Sequence, residues 1–253
     1  MNKDLADLCI SAAKALKESS FAIAMTGAGI SVPSGIPDFR SPGGLWSRFD
    51  PQSVCTVWAL RNNPAGVWEF LFEALNMFSA ARPNPAHTAL ARLEEMAILK
   101  SVITQNIDNL HQAAGSKDVI EFHGGCGIFF CNDCKKEFEQ STALDLTEND
   151  IPWFCEDCRG VIRPSVVFFG EQIPEPAMVR SQKLAEKADL VLIVGTSGEV
   201  APANILPQWV KRRGGKIIEI NLGSTAYDEY SDLKLDMPAE IALPRIVDEL
   251  NIP

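Results

Sequence analysis

Short runs of apolar, often β-branched residues recur along this chain, separated by stretches of helical period. FAIAMTGA from Phe21, SVITQNI from Ser101, VIEFH from Val119, LVLIVGT from Leu190 and KIIEINL from Lys216 are nearly continuous in apolar residues. Strands covered on both faces have that character, whereas half-exposed strands alternate apolar with polar. Between the runs, apolar positions fall three and four apart and predict helices over 84–96, 108–115, 176–187, 201–213 and 239–250. Near the N-terminus Leu5, Leu8, Ala12 and Leu16 share one helical face. Strands alternating with helices predict an α/β fold built on a parallel, doubly wound sheet.

Two stretches break the alternation. Residues 41–83 open in Pro-, Gly- and Trp-rich sequence and continue as a helical pattern carrying Trp58, Trp68, Phe70, Leu71 and Phe72. Residues 124–165 hold four paired cysteines and no strong helical period. Both are read as insertions that together form a smaller module, leaving 1–40, 84–123 and 166–253 to the large domain. Internal repeats and low-complexity tracts are absent from the sequence.

The 253 residues suffice for a large domain plus a small one, and 46% apolar with 22% charged residues is ordinary globular usage. No apolar run approaches the ~20 residues that span a bilayer, so no membrane association is expected. The N-terminal segment carries Asp4 and Asp7 and lacks a continuous apolar core, so it does not read as a signal peptide; the expected compartment is the cytoplasm. A net charge of −10 repels phosphate backbones and argues against free nucleic acid as a partner. Seven cysteines without a secretory marker point away from disulfides. The oligomeric state has no signature in the sequence.

The candidate chemistry sits at strand ends. In TGAGIS, Thr26 to Ser31, Gly27 and Gly29 permit a tight turn and close approach of a pyrophosphate to free backbone N–H groups. The third glycine of a dinucleotide fingerprint is missing, since position 32 is Val, and a plain strand-to-loop turn would look the same. The following Ser34 to Arg40 contains Gly35 and Pro37 and is not helical; such a loop can close over a ligand. In ITQNIDNLH, Gln105, Asn106 and Asp108 fall at the C-terminal end of a strand, where α/β sheets bind ligands. Asp108 equally suits the cap of a helix beginning at Asn109. His123 follows the next strand beside Gly124 and Gly125 and is placed to act as a base near neutral pH. His87 and His111 are read as packed or hydrogen-bonded. Gly195, Thr196, Ser197 and Asn221 close later strands with short polar groups that suit ribose hydroxyls and phosphate.

Cys131-x-x-Cys134 and Cys155-x-x-Cys158, twenty residues apart, have the spacing of a four-cysteine zinc ribbon. Four thiolates leave no open position for water, so the zinc is expected to be structural. An iron–sulfur site or a redox pair are the alternatives.

In their order, GAGIS…SGIPDFR, TQNIDNLH, the FHG histidine, the two cysteine pairs, RPSVVFFGE (Arg163 to Glu171), GTS and Asn221 resemble the sirtuins of prokaryotic type, the NAD-dependent protein-lysine deacylases, across residues 21–241. The resemblance implies a Rossmann-like domain and a smaller domain of helical module and zinc ribbon, with NAD and acyl-lysine in the cleft between them. It implies that Ala28, Ile36, Asp38, Phe39 and Arg40 line the loop over NAD beside Gly27 and Gly29. Gln105, Asn106 and Asp108 would surround the nicotinamide and its ribose, the last two taking part in catalysis. Gly195, Thr196, Ser197 and Asn221 would hold the adenosine side, with Ala239 near adenine. Val166, Phe168, Gly170 and Glu171 resemble the strand that pairs with the substrate peptide. His123 would act as general base on a ribose hydroxyl, and the products would be free lysine, nicotinamide and O-acyl-ADP-ribose.

Departures from the family pattern are Val32-Pro33 for Ala-Glu, Gly198-Glu199 after GTS, and Leu71 and Ala74 where desuccinylating members carry Tyr and Arg. Without that arginine an apolar acyl group, acetyl or longer, is the expected substrate. The alternatives are mono-ADP-ribosyl transfer from the same NAD site, a hydride-transferring dehydrogenase, and a non-catalytic zinc module.

Overall fold

Continuous apolar runs form interior strands because neither face of their sheet meets water. In the computed structural model, which describes residues 3–39 and 41–251, the strands are β1 (Ala22–Thr26), β2 (Leu99–Thr104), β3 (Val119–Glu121), β4 (Ile128–Cys131), β5 (Glu137–Glu139), β6 (Ile162–Pro164), β7 (Leu190–Val194), β8 (Lys216–Ile220) and β9 (Leu233–Leu235). Every residue of β1 and β7 is buried. One sheet runs β3-β2-β1-β7-β8-β9, each neighbouring pair parallel, and β5-β4-β6 form a separate antiparallel sheet.

The helices are α1 (Lys3–Glu18), α2 (Pro51–Val54), α3 (Val57–Asn62), α4 (Pro64–Ala80), α5 (Pro85–Glu95), α6 (Leu110–Ala113), α7 (Gln140–Leu144), α8 (Glu175–Lys187), α9 (Ile205–Arg212) and α10 (Ala239–Leu250). Side chains alternate across a strand, and both faces of β1 are apolar. Ala22 and Ala24 join Leu16 of α1, Leu90 and Leu93 of α5 and Leu243 and Ile246 of α10. Ile23 and Met25 join Ala185 of α8 and Leu206 and Val210 of α9 on the other face. Each fully buried aliphatic side chain contributes about 1.5–3 kcal/mol to holding these layers.

A third apolar cluster unites the two interrupting stretches. Trp68, Phe70 and Leu71 of α4 pack with Phe129, Cys131, Cys155 and Ile162. Trp68 Nε1–H donates to the Ile162 carbonyl at 2.9 Å, tying the helix to the small sheet.

The strands and helices fall where the apolar pattern puts them, with five differences. β9 is a sixth strand of the large sheet that the pattern does not reveal, because it is three residues long with Lys234 at its centre. β3 stops at Glu121, leaving His123 in the turn beyond it. α6 is a single turn, Leu110–Ala113, and α9 starts at Ile205 after a run of turns. The cysteine stretch contains the short helix α7. Among the described residues, no helix is long and apolar enough to cross a membrane.

The chain proceeds outward from β1 to β2 and β3 on one side, then returns to β7 on the other. That reversal leaves a crevice at the C-terminal ends of β1 and β7, the usual ligand position in open α/β sheets.

Candidate active site

Gln105, Asn106, Asp108, His123, Thr196 and Asn221 meet at this crevice. Past β1, the Gly27 N–H donates to the Val194 carbonyl at 3.1 Å and the Gly29 N–H to the Gly195 carbonyl at 2.9 Å. A Cβ on Gly27 would meet Thr196 Cβ at 2.7 Å, and one on Gly29 would lie 2.9 Å from Gly195. Gly195 itself has φ +62°, and a Cβ there would meet the Ile30 nitrogen at 2.3 Å. The glycines therefore serve close backbone contact between the ends of β1 and β7, a reason independent of any phosphate.

The loop begins as a 3₁₀ turn over Ala28–Ser34, closed by Gly35 at φ +90°, and becomes irregular only from Ile36. Ile36 is buried with Ala81 and Leu110. The Asp38 carboxylate accepts from the Ser41 N–H and hydroxyl at 2.8 and 2.5 Å. Phe39 lies 4.9 Å, ring to ring, from Trp46. Arg40 lies outside the described residues.

Beneath the loop, polar side chains from three strand ends bond to one another. Gln105 Nε2 donates to Thr196 Oγ1 at 2.9 Å. Asn106 Nδ2 donates to the Gly27 carbonyl and to Ser31 Oγ, each at 3.1 Å. Ser31 Oγ donates to Asp108 Oδ2 at 2.6 Å, while Asp108 Oδ1 accepts the Leu110 N–H at 2.9 Å. Asp108 thus meets the expected capping role by accepting the first N–H of α6, and it also anchors the loop through Ser31. It also faces a cavity of about 370 Å³ whose walls include Leu75, Phe78, Ile107, Leu110 and Cys126.

His123 is partly exposed at the end of β3, with Nδ1 3.2 Å from the Gln105 carbonyl. A carbonyl only accepts, so Nδ1 carries the proton and Nε2 is the basic nitrogen. Burial lowers the His123 pKa below its ordinary value, against the upward pull of that carbonyl. The ring is therefore neutral at pH 7, the form a general base requires. The His123 carbonyl accepts the Val167 N–H at 2.8 Å.

The other two histidines are structural. His87 closes a capping box with Asn84, and Asn84 Nδ2 donates to the Ile30 carbonyl at 2.7 Å. His111 Nε2 lies 2.9 Å from Thr26 Oγ1. Burial lowers these pKa values to about 4 and about 3 respectively.

On the far side, Ser197 is partly buried and its carbonyl accepts the Ala226 N–H at 2.9 Å. Asn221 Nδ2 donates to the Thr196 carbonyl at 3.2 Å and to Glu219 at 3.1 Å. Ala239 is buried at the first turn of α10. Val166 is half-buried, Phe168 is buried, and Gly170 is exposed at φ +93°. Both carboxylate oxygens of Glu171 are engaged by Arg163.

Ser31, Thr26 and Thr104 escape a reading of the sequence as site residues. Thr26 and Thr104 donate and accept at 2.9 Å across the ends of β1 and β2, and Thr104 Oγ1 accepts the Asn106 N–H at 3.1 Å. The signal that marks Thr26 and Thr104 is a threonine as the last residue of β1 and of β2.

The four sulfurs of Cys131, Cys134, Cys155 and Cys158 lie within 4.8 Å of one another. Sγ of Cys131 and Cys158 are 3.4 Å apart, and those of Cys134 and Cys155 3.7 Å apart. Tetrahedral Zn–S bonds of about 2.3 Å place sulfurs about 3.8 Å apart, so the set fits zinc. Each pair comes from a matching knuckle in which the Lys135 and Arg159 N–H groups donate to the Cys131 and Cys155 carbonyls at 3.0 and 2.9 Å. Cys126 stands apart, buried, its thiol pushed up to about 12 by burial.

A strand-order reversal lined by glycines, amides and a neutral histidine, joined to a four-cysteine ribbon, defines a class of nucleotide-using enzyme with a structural metal. The chain belongs to the Sir2 family, whose pattern it matches over residues 27–202. It is 48% identical over 241 residues to an NAD-dependent protein deacetylase of Caldivirga maquilingensis, covering 95% of this chain and 93% of that protein. It is similar to a solved structure described under the mechanism and regulation of Sir2 enzymes, with TM-score 0.91, 40% identity and coverage of 96% of this chain and 98% of that one. A Sir2 structure holding a deacetylated peptide and 3′-O-acetyl ADP-ribose matches with TM-score 0.88 and 38% identity, over 94% of this chain and 97% of that one.

Proposed function

We propose that this protein removes acyl groups from protein lysines at the expense of NAD, releasing nicotinamide and O-acyl-ADP-ribose, and that it does so in the cytoplasm. The observation that carries the reading is the neutral His123, its Nε2 free to take a proton, one hydrogen bond from Gln105 at the strand reversal. With NAD bound, the acyl oxygen would displace nicotinamide from the ribose; His123 would then take the proton of a ribose hydroxyl so that this oxygen can attack the acyl-derived carbon, and addition of water would release the free lysine. Gln105, Asn106 and Asp108 hold the nicotinamide ribose, and Ser31 fixes Asp108 for that task. The loop over 28–40 covers NAD, with Gly195, Thr196, Ser197 and Asn221 on the adenosine side and Ala239 near adenine. The segment carrying Val166, Phe168, Gly170 and Glu171 would receive the peptide along its backbone. Zinc bound by Cys131, Cys134, Cys155 and Cys158 supports the fold and takes no part in the chemistry. The large domain comprises 1–40, 84–123 and 166–253, and the small one 41–83 and 124–165.

The related deacetylase and the structure holding an acetylated ADP-ribose support deacylation over mono-ADP-ribosyl transfer. Leu71 and Ala74 are both buried on α4 and offer no charge to an acidic acyl group. Mass spectrometry of peptides bearing acetyl-, longer acyl- or succinyl-lysine, with and without NAD, tests all of this at once. The expected result is NAD-dependent loss of acetyl at least about tenfold faster than of succinyl. Labelled protein in place of O-acyl-ADP-ribose would overturn deacylation, and preferred desuccinylation would overturn the acyl assignment.

A further inference from the structure

Glu171, expected to touch substrate, is spoken for inside the protein. Its Oε1 accepts Arg163 Nη1–H at 2.5 Å and its Oε2 accepts Nη2–H at 2.8 Å, a bidentate pair. Oε2 also accepts the Phe168 N–H at 2.8 Å, and the Glu171 N–H returns to the Phe168 carbonyl at 2.9 Å. The Arg163 side chain is 3% exposed. Its guanidinium lies 4.4 Å from the Phe168 ring centre and 5.1 Å from that of Phe130, and also donates to the Val166 carbonyl. Burial pushes the Glu171 carboxyl upward in pKa, but the Arg163 and Phe168 donors outweigh it and hold the group below its ordinary value.

The clamp controls a specific stretch of chain. Along residues 165–169 the odd N–H groups all point one way: Ser165 to the Ile128 carbonyl at 2.9 Å, Val167 to His123 at 2.8 Å, and Phe169 to Cys55 at 2.8 Å. On the opposite side, the Val166 carbonyl and the Phe168 N–H are taken by Arg163 and Glu171. One edge therefore fixes the backbone of His123, and the other is set by the ion pair. Arg163 itself rides on β6, opposite Phe130 of β4.

We propose that Arg163 and Glu171 are positioning residues for deacylation, holding residues 165–170 on the course that both steadies His123 and shapes the peptide-binding edge. This rests on the functional reading above. Both side chains act through the segment between them, residues 165–170. While the clamp is closed, the Val166 carbonyl and the Phe168 N–H are withheld from a substrate strand, which must pair with what remains.

The test uses the zinc-loaded full-length enzyme, Glu171→Gln and Arg163→Lys. Steady-state constants for an acetyl-lysine peptide and for NAD are measured beside hydrogen–deuterium exchange. Each variant is expected to raise the peptide KM about tenfold or more. NAD affinity should stay within about twofold, since the loop and strand ends that would hold it are untouched. Exchange should quicken over 165–170 but not over β4, and Glu171→Asp should recover part of the loss. An unchanged peptide KM overturns the proposal. So does a parallel fall in NAD and peptide affinity with faster exchange throughout the ribbon, which would mark a structural role only. If the wild-type enzyme itself shows no NAD-dependent deacylation, the functional reading fails first and this one with it.

Discussion

The cysteine ribbon and the crevice at the strand reversal are both polar groups set in apolar surroundings, reached by opposite routes. Each half of the ribbon is local: two cysteines three residues apart, the first buried and the second exposed, presented by one knuckle. The crevice draws on Ser31, Asn106, His123 and Thr196, which no local turn brings together and which only the parallel sheet aligns. The ribbon needs a metal to reconcile four thiolates, whereas the crevice is reconciled by its own hydrogen bonds. The ribbon is a scaffold with no free valence. Among the described residues, His123 Nε2 in the crevice has no hydrogen-bond partner.

If that contrast is right, the two regions fail differently when broken. His123→Ala should lower kcat/KM for an acetylated peptide by about 10²–10⁴-fold. Zinc content and melting temperature should stay as in the wild type, read by a metal-release assay and differential scanning fluorimetry. Turnover close to wild type would remove His123 from the chemistry. Cys155→Ala should do the reverse: zinc is lost and the melting temperature falls by about 10 °C or more, because a structural metal supplies folding free energy directly. Full zinc occupancy in that variant would contradict the assignment of all four thiolates to the metal.

The smallest effect concerns acid. Unfolded histidines titrate near pH 6.5, whereas burial holds His87 and His111 near 4 and 3. Below pH 6.5 the unfolded chain binds more protons, so this contribution is complete above that pH and is lost as it falls toward about 3. Melting temperature should drop by several degrees over that window. Carboxylates titrate there too, so the decisive comparison is His111→Gln, whose profile should be flatter than the wild type's. An identical slope would show that the buried pair does not govern acid stability.

Much of the fold is visible in the chain because burial on both faces writes strands as unbroken apolar runs, as β1 and β7 show. β9 is hidden for the same physical reason reversed: three residues with a lysine between two leucines carry too little pattern. In the crevice, glycines, amides and His123 are legible as strand-end chemistry, and the cysteines by spacing. What sequence conceals is commitment. Glu171 reads as part of a peptide-pairing edge until Arg163 is seen to occupy both its oxygens. Ser31 reads as the tail of a glycine loop until its hydroxyl is found between Asn106 and Asp108. Gly27 and Gly29 suggest room for phosphate, yet the nearest atoms they make room for belong to Gly195 and Thr196.

Trp68, with no solvent exposure and its indole N–H bonded to Ile162, touches Phe129 and Trp153 from the ribbon side. An indole so enclosed emits toward the blue, and hydration of the joint between α4 and β6 would shift it to the red. The Trp68 indole is thus an optical gauge of the ribbon's seating.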